Sequence, residues 1–172
     1  MQIGGRDMTI RAAVIGASFA KAAYLPAMGT VEDIEVVAIS SARLESAQAV
    51  AEQFKIANAY DDWQTMLDKH EVDLVGIATP TIYHAPMALA ALERGAHVIC
   101  EKPMAMNSDE ARQMLERAEA LGRVHMIGHE LRFNPNRRKI RTLIESGAIG
   151  QVRHVNVVNI TNSWGDPASR PA

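Results

Sequence analysis

Five short apolar runs set the tightest limit on how this chain folds, each followed directly by a glycine, a small polar residue or a charged one. They are Ile10–Ile15, Ile34–Ile39, Val72–Ala78, His97–Cys100 and Val124–Ile127, all rich in valine and isoleucine. Most are apolar on both faces, which suits strands of a parallel sheet covered on both sides. Between the runs the period changes. Ala47, Val50, Ala51 and Phe54 repeat at the spacing of one helix face. Ala111, Met114, Leu115, Ala118 and Leu121 do the same, opened by a capping-box-like Asn107–Glu110 and closed by Gly122. A β-α beat with short connections predicts an α/β fold, a doubly wound parallel sheet with right-handed crossovers.

The pattern breaks after about residue 128. Asn136 to Ser146 reads as a basic amphipathic helix carrying Arg137, Arg138, Lys139 and Arg141, and Gln151 to Thr161 as a long strand apolar on both faces. About 45 residues do not enclose a core of their own. Residues 9–128 are therefore expected to form one domain and residues 129–172 the incomplete, truncated start of an α+β second domain. An apolar strand left at an open edge would recruit another copy of the chain.

Composition narrows the partners. With a formal charge of −2 and no basic excess over the whole chain, the composition points to neither nucleic acid nor an anionic membrane as a partner. No apolar run approaches the roughly 18 residues of a membrane span, and Met1–Asp7, read as a leader before Met8, lacks the apolar core of a signal peptide. The single Cys100 forms no internal disulfide, as expected in a reducing cytoplasm. No metal-ligand set is assigned.

In an open α/β sheet, chemistry gathers at the carboxyl ends of the strands. After the first run come Gly16, Ala17, Ser18, Phe19, Ala20 and Lys21, the place of a Gly-x-Gly-x-x-Gly loop whose amides hold a pyrophosphate. Only the first glycine is present; Ser18 takes the second position, and Lys21, or Ala20 in a tighter reading, the third. By itself the segment reads equally as a plain strand-to-helix turn. After the second run no acid is present to receive ribose hydroxyls, whereas Ser41 and Arg43 would suit a 2′-phosphate, unless Arg43 only opens a solvated helix face. Thr79, Pro80 and His84 follow the third run, His84 at a helix start, as a site residue or a structural histidine. Glu101, Lys102 and Pro103 follow the fourth. Lys102 there would support developing alkoxide charge, or else form an ordinary strand-end ion pair.

These residues together make the chain similar to the Gfo/Idh/MocA oxidoreductase family of sugar and cyclitol dehydrogenases. The likeness runs through Ala13–Phe19, Tyr24–Ala27, Val72–Pro80, His84–Leu92, Gly95–Pro103 and Gly128–Pro135, and is most specific from Val72 to Pro103. The resemblance implies a Rossmann sheet and a hydride transfer between NAD or, preferred here, NADP and a sugar, cyclitol or related polyol. It implies that Lys102 is catalytic beside the nicotinamide, with a bond to Pro103 that is often cis. It implies cofactor contacts from Gly16, Ser18, Phe19, Ala20, Ser41, Arg43, Thr79, Pro80, His84, Glu101 and Lys102. His129 and Arg132 fall on the substrate side, and the whole protein would form a homo-oligomer through the sheet of its second domain. Three features depart from the family: two loop glycines are missing, Tyr24 stands where many members carry histidine, and the second-domain Asp-x-x-x-His acid/base pair does not occur. The alternative in keeping with these losses is a dinucleotide-sensing regulator without catalysis.

Overall fold

The apolar runs become strands because each buries both of its faces. In β1 (Ile10–Ile15), Ala12 and Val14 point into one apolar cluster and Ala13 and Ile15 into another, all at most 2% exposed. Such a strand has no wet side and belongs inside a covered parallel sheet. The computed structural model describes residues 9–158, so the expected leader and residues 159–161 of the expected strand lie outside the described residues. β2 (Ile34–Ser40), β3 (Asn58–Tyr60), β4 (Leu74–Ile77), β5 (His97–Cys100) and β6 (His125–Ile127) complete a six-stranded sheet in the order β3-β2-β1-β4-β5-β6. Every neighbouring pair is parallel. The order reverses between β1 and β4, which opens a crevice at their carboxyl ends.

The helices cover the two faces. α1 (Ser18–Ala22), α2 (Tyr24–Met28) and α3 (Leu44–Phe54) bury Ala20, Tyr24, Leu25, Met28, Val50 and Ala51 against Ala12, Val14 and Ile39. α4 (Trp63–Lys69), α5 (His84–Glu93) and α6 (Ser108–Ala120) bury Met66, Leu67, Met87, Leu92 and Met114 against Ala13, Ile15, Val75, Ile77 and Val98. β3 escapes the reading of apolar runs because it is three residues long and only half buried, held in part by Asn58 Nδ2 donating to the Val37 carbonyl at 2.9 Å.

The expected start of α6 is present with one change. Asn107 Oδ1 accepts from the amides of Asp109 and Glu110, and the Glu110 carboxylate turns back to accept from the Met106 amide. The returning bond of the box thus reaches one residue further than the usual pattern.

The described residues divide into two compact units, one ending at His129 and the other beginning at Glu130. The second contains a 3-10 turn, Glu130–Phe133, and α7 (Pro135–Glu145), which starts one residue earlier than its apolar pattern because Pro135 at the first position follows the Asn134 cap. The expected strand from Gln151 to Thr161 is a correction: residues 151–158 form none, and Val155, Val157 and Val158 are exposed. A strand exists through its ladder, and no described strand pairs with this segment. Among the described residues no helix is long and apolar enough to cross a membrane.

Candidate functional site

Strand register brings the expected residues to one edge. Ser40 pairs with Ile15, Ile15 with Ile77, Ile77 with Cys100 and Cys100 with Ile127, all at the last position of their strands. The ladder extends one residue beyond. Gly16 donates to the Ser40 carbonyl, Ala78 to Ile15, Glu101 to Ile77 and Gly128 to Cys100, at 2.7–2.9 Å. Ser41, Gly16, Ala78, Glu101 and Gly128 therefore form one row along the carboxyl edge, with Arg43, Ser18, Thr79, Lys102 and His129 one or two residues beyond it.

Gly16 is fixed there by geometry. Its φ is +104°, and a Cβ would overlap the Ala78 carbonyl oxygen and lie 2.7 Å from its carbon and 3.3 Å from Thr79 Cγ2. The backbone of the glycine loop thus lies directly on the turn after β4, an approach only glycine permits. No side chain caps α1, so its first-turn amides are left to a ligand or water. Phe19 is partly exposed, its ring edge-on to Tyr24 at 6.2 Å. Ala20 is fully buried and serves packing. Beside the loop is a recess of about 440 Å³ lined by Ser18, Lys21, Ser41, Arg43 and Ser46. Two cations and three hydroxyl residues with no carboxylate in the lining make a pocket of anion-binding character. Lys21 entered the sequence reading only as a missing glycine, and Ser46 not at all. α1, which follows β1, brings Lys21 to the recess, and α3, which follows β2, brings Ser46.

At the end of β5 the chain changes from buried to exposed in two residues. Cys100 is fully buried and Glu101 8% exposed, while Lys102 is exposed. Burial, and then the Glu101 carboxylate, push the Cys100 thiol up to about 12, so it is no nucleophile at neutral pH. Glu101 accepts from the Lys102 amide at 3.2 Å, and the Lys102–Pro103 bond is cis. Gly128 makes room for Glu101: a Cβ there would lie 2.5 Å from Glu101 Oε1 and 3.2 Å from the Tyr24 hydroxyl oxygen. Glu101 thus lies inward, below the surface that a ligand would meet. No ion pair between Glu101 and Lys102 is found among the described residues.

His84 is 1% exposed, and both ring nitrogens are taken up inside the protein, Nδ1 by the Pro103 carbonyl at 2.9 Å and Nε2 by the Thr79 carbonyl at 2.8 Å. As a direct cofactor contact it is a correction, since the turn at Thr81–Tyr83 and α5 seal the ring under the crevice floor. Thr79 is half-buried, its hydroxyl donating to Met87 Sδ at 3.5 Å, and Pro80 is exposed. His129 ends the first unit and Arg132 lies in the 3-10 turn of the second; both are exposed. A larger recess of about 830 Å³ lies at the opposite edge of the sheet, around Arg11, His70, Asp73 and Arg123, and contains none of the expected site residues.

Residues 10–129 match the model of an oxidoreductase family with an NAD-binding Rossmann fold, GFO_IDH_MocA. The chain is 37% identical over 144 residues to D-glucoside 3-dehydrogenase of Escherichia coli K12, covering 83% of this chain and 41% of that one. To the scyllo-inositol 2-dehydrogenase (NADP(+)) of Bacillus subtilis it is 33% identical over 144 residues, covering 84% and 43%. A 3-ketoreductase from Actinomadura kijaniata, solved in complex with TDP-benzene and NADP, superposes with a TM-score of 0.77 at 30% identity, over 84% of this chain and 46% of that one. The chain spans less than half the length of these relatives.

Proposed function

Because this chain belongs to the Gfo/Idh/MocA oxidoreductase family, with its NAD-binding Rossmann fold, we propose that it binds NADP and serves hydride transfer to or from a sugar, cyclitol or related polyol. The observation that carries the reading is the single row holding Ser41, Gly16, Ala78 and Glu101, because a dinucleotide laid across it meets the loop and the Lys102 turn at its two ends. The residues fit the cofactor. The close approach at Gly16 brings backbone to a pyrophosphate, and the recess beside it suits a 2′-phosphate, with Ser41 and Arg43 as donors and Lys21 adding charge.

Bound nicotinamide supplies the hydride acceptor or donor. The proton of the substrate hydroxyl would leave to an acid/base group of the second domain, while this chain's own residues orient and support the reacting oxygen. The exposed Lys102 ammonium hydrogen-bonds the substrate oxygen whose carbon reacts and stabilises the negative charge that grows on it. Glu101, folded inward beside Gly128, holds the Lys102 amide and so the turn that aims it. His129 and Arg132 are proposed for the substrate side, and the homo-oligomer and cytoplasmic location stand as further parts of the proposal.

Calorimetric titration with NADP and NAD tests the cofactor reading. We expect tighter NADP binding, and Arg43→Ala to remove about 1.5–3 kcal/mol of it, as one charge-assisted contact does. Equal affinity refutes the 2′-phosphate assignment; binding of neither refutes the cofactor. In a full-length form assayed for polyol-dependent NADP reduction, Lys102→Ala should lower kcat/KM about 10²–10³-fold with cofactor affinity unchanged. Undiminished turnover would leave Lys102 without a catalytic part.

A further inference from the structure

We propose that His84, sealed from solvent, is the positioning residue of this site, fixing the spacing between the turn under the glycine loop and the turn that carries Lys102. The inference rests on the dinucleotide reading above. The imidazole lies between two loops that share no strand. On one side Nε2 meets the carbonyl of Thr79, whose Cγ2 abuts the place where a Cβ of residue 16 would stand. On the other, Nδ1 meets the carbonyl of Pro103, one residue beyond Lys102. Gly16, Thr79, His84, Pro103 and Lys102 thus form one run of contacts across the crevice floor. Among the described residues the ring makes no other hydrogen bond, so both of its polar atoms serve this junction.

Its chemistry suits a strut. Both partners are carbonyl oxygens and can only accept, so a ring nitrogen that carries a proton donates to the carbonyl it faces. Among the described residues no other hydrogen bond to these two carbonyls is found. A residue with no donor leaves two buried acceptors facing each other, and the loops are then free to separate. The nicotinamide half of the ligand, seated between them, loses its fit, whereas the adenosine half, seated against Gly16 and Arg43, keeps it.

This asymmetry is the test. NADPH and 2′-phospho-ADP-ribose, which is NADP without its nicotinamide, are titrated into the wild-type chain and into His84→Leu, His84→Asn and His84→Gln, with cooperative urea unfolding confirming that each is folded. The amide nitrogen of asparagine takes the place of Nδ1 and that of glutamine the place of Nε2, so each retains one of the two bonds. We expect His84→Leu to weaken NADPH about tenfold or more and the phospho-ADP-ribose less than about twofold, with partial recovery in His84→Asn. Should His84→Leu not unfold cooperatively, His84→Asn and His84→Gln give the same comparison. Equal losses for both ligands, or none, overturn the proposal and leave the dinucleotide reading intact. A wild-type chain that binds neither ligand overturns both. If NADH binds in place of NADPH, NADH and ADP-ribose replace the pair and the same split decides.

Discussion

Gly16 shows how much one residue determines at this site. Its φ of +104° and the absence of a side chain let β1 turn directly onto the Ala78 carbonyl. Gly16→Ala meets two obstacles at once, a backbone conformation unfavourable to any L side chain and a collision with main chain that has no freedom to move. The expected result is a loss of about 1–3 kcal/mol in urea unfolding together with loss of dinucleotide binding, and a variant of unchanged midpoint would mean the turn is not built as described. The sequence singled out Gly16 because a glycine directly after an apolar run points to a turn or a close approach of backbone, and its positive φ against Ala78 is such an approach. It marked His84 and Glu101 as site residues too, but gave no sign that one is sealed under the crevice and the other folded inward, since burial depends on the segments that cover them. Gly128 belongs to the same lesson, its significance lying in what a side chain there would displace.

At the scale of elements, local chemistry sets helix starts and partners set strands. α4 begins at Asp62, whose carboxylate accepts from the amides of Gln64 and Thr65 and from the Thr65 hydroxyl at 2.5 Å. These bonds, the hydroxyl first, hold the Asp62 carboxyl below its ordinary value. A carboxyl lowered in the folded state adds stability above its unfolded value and loses it as the pH falls through the folded one. Asp62→Ala should therefore cost about 1 kcal/mol near neutrality, and its deficit against the wild type should shrink below about pH 4. Denaturation curves at pH 7 and pH 3 check this, and a deficit independent of pH would assign the loss to something other than the cap. Asn107 and Asn134 cap α6 and α7 by the same means; the first was legible in the sequence, whereas α7 was placed to within a residue by its amphipathic pattern alone. Strands were less legible where they were short: β3 has no apolar run, and residues 151–158 have one without a ladder.

For the molecule as a whole, all six strands, α1 to α6 and both apolar clusters lie before Glu130. A chain ending at His129 should consequently unfold in a single cooperative urea transition, with near-native far-UV circular dichroism; a broad, non-cooperative loss of signal would show that the first unit does not stand alone. By itself the sequence determined the class of the sheet, because strands apolar on both faces require cover on both sides, and it determined the edge at which chemistry gathers, because glycine, threonine and lysine follow the runs directly. The tertiary structure alone decided which of those residues lie open on that edge and which are buried beneath it. Register aligned Gly16, Ala78 and Glu101 in one row, α1 after β1 and α3 after β2 brought Lys21 and Ser46 to the recess of Arg43, and the packing of α5 turned His84 inward to join two carbonyls. Spacing along a chain records which residues follow a strand, whereas contact between loops separated by a crossover depends on how the sheet is ordered and covered.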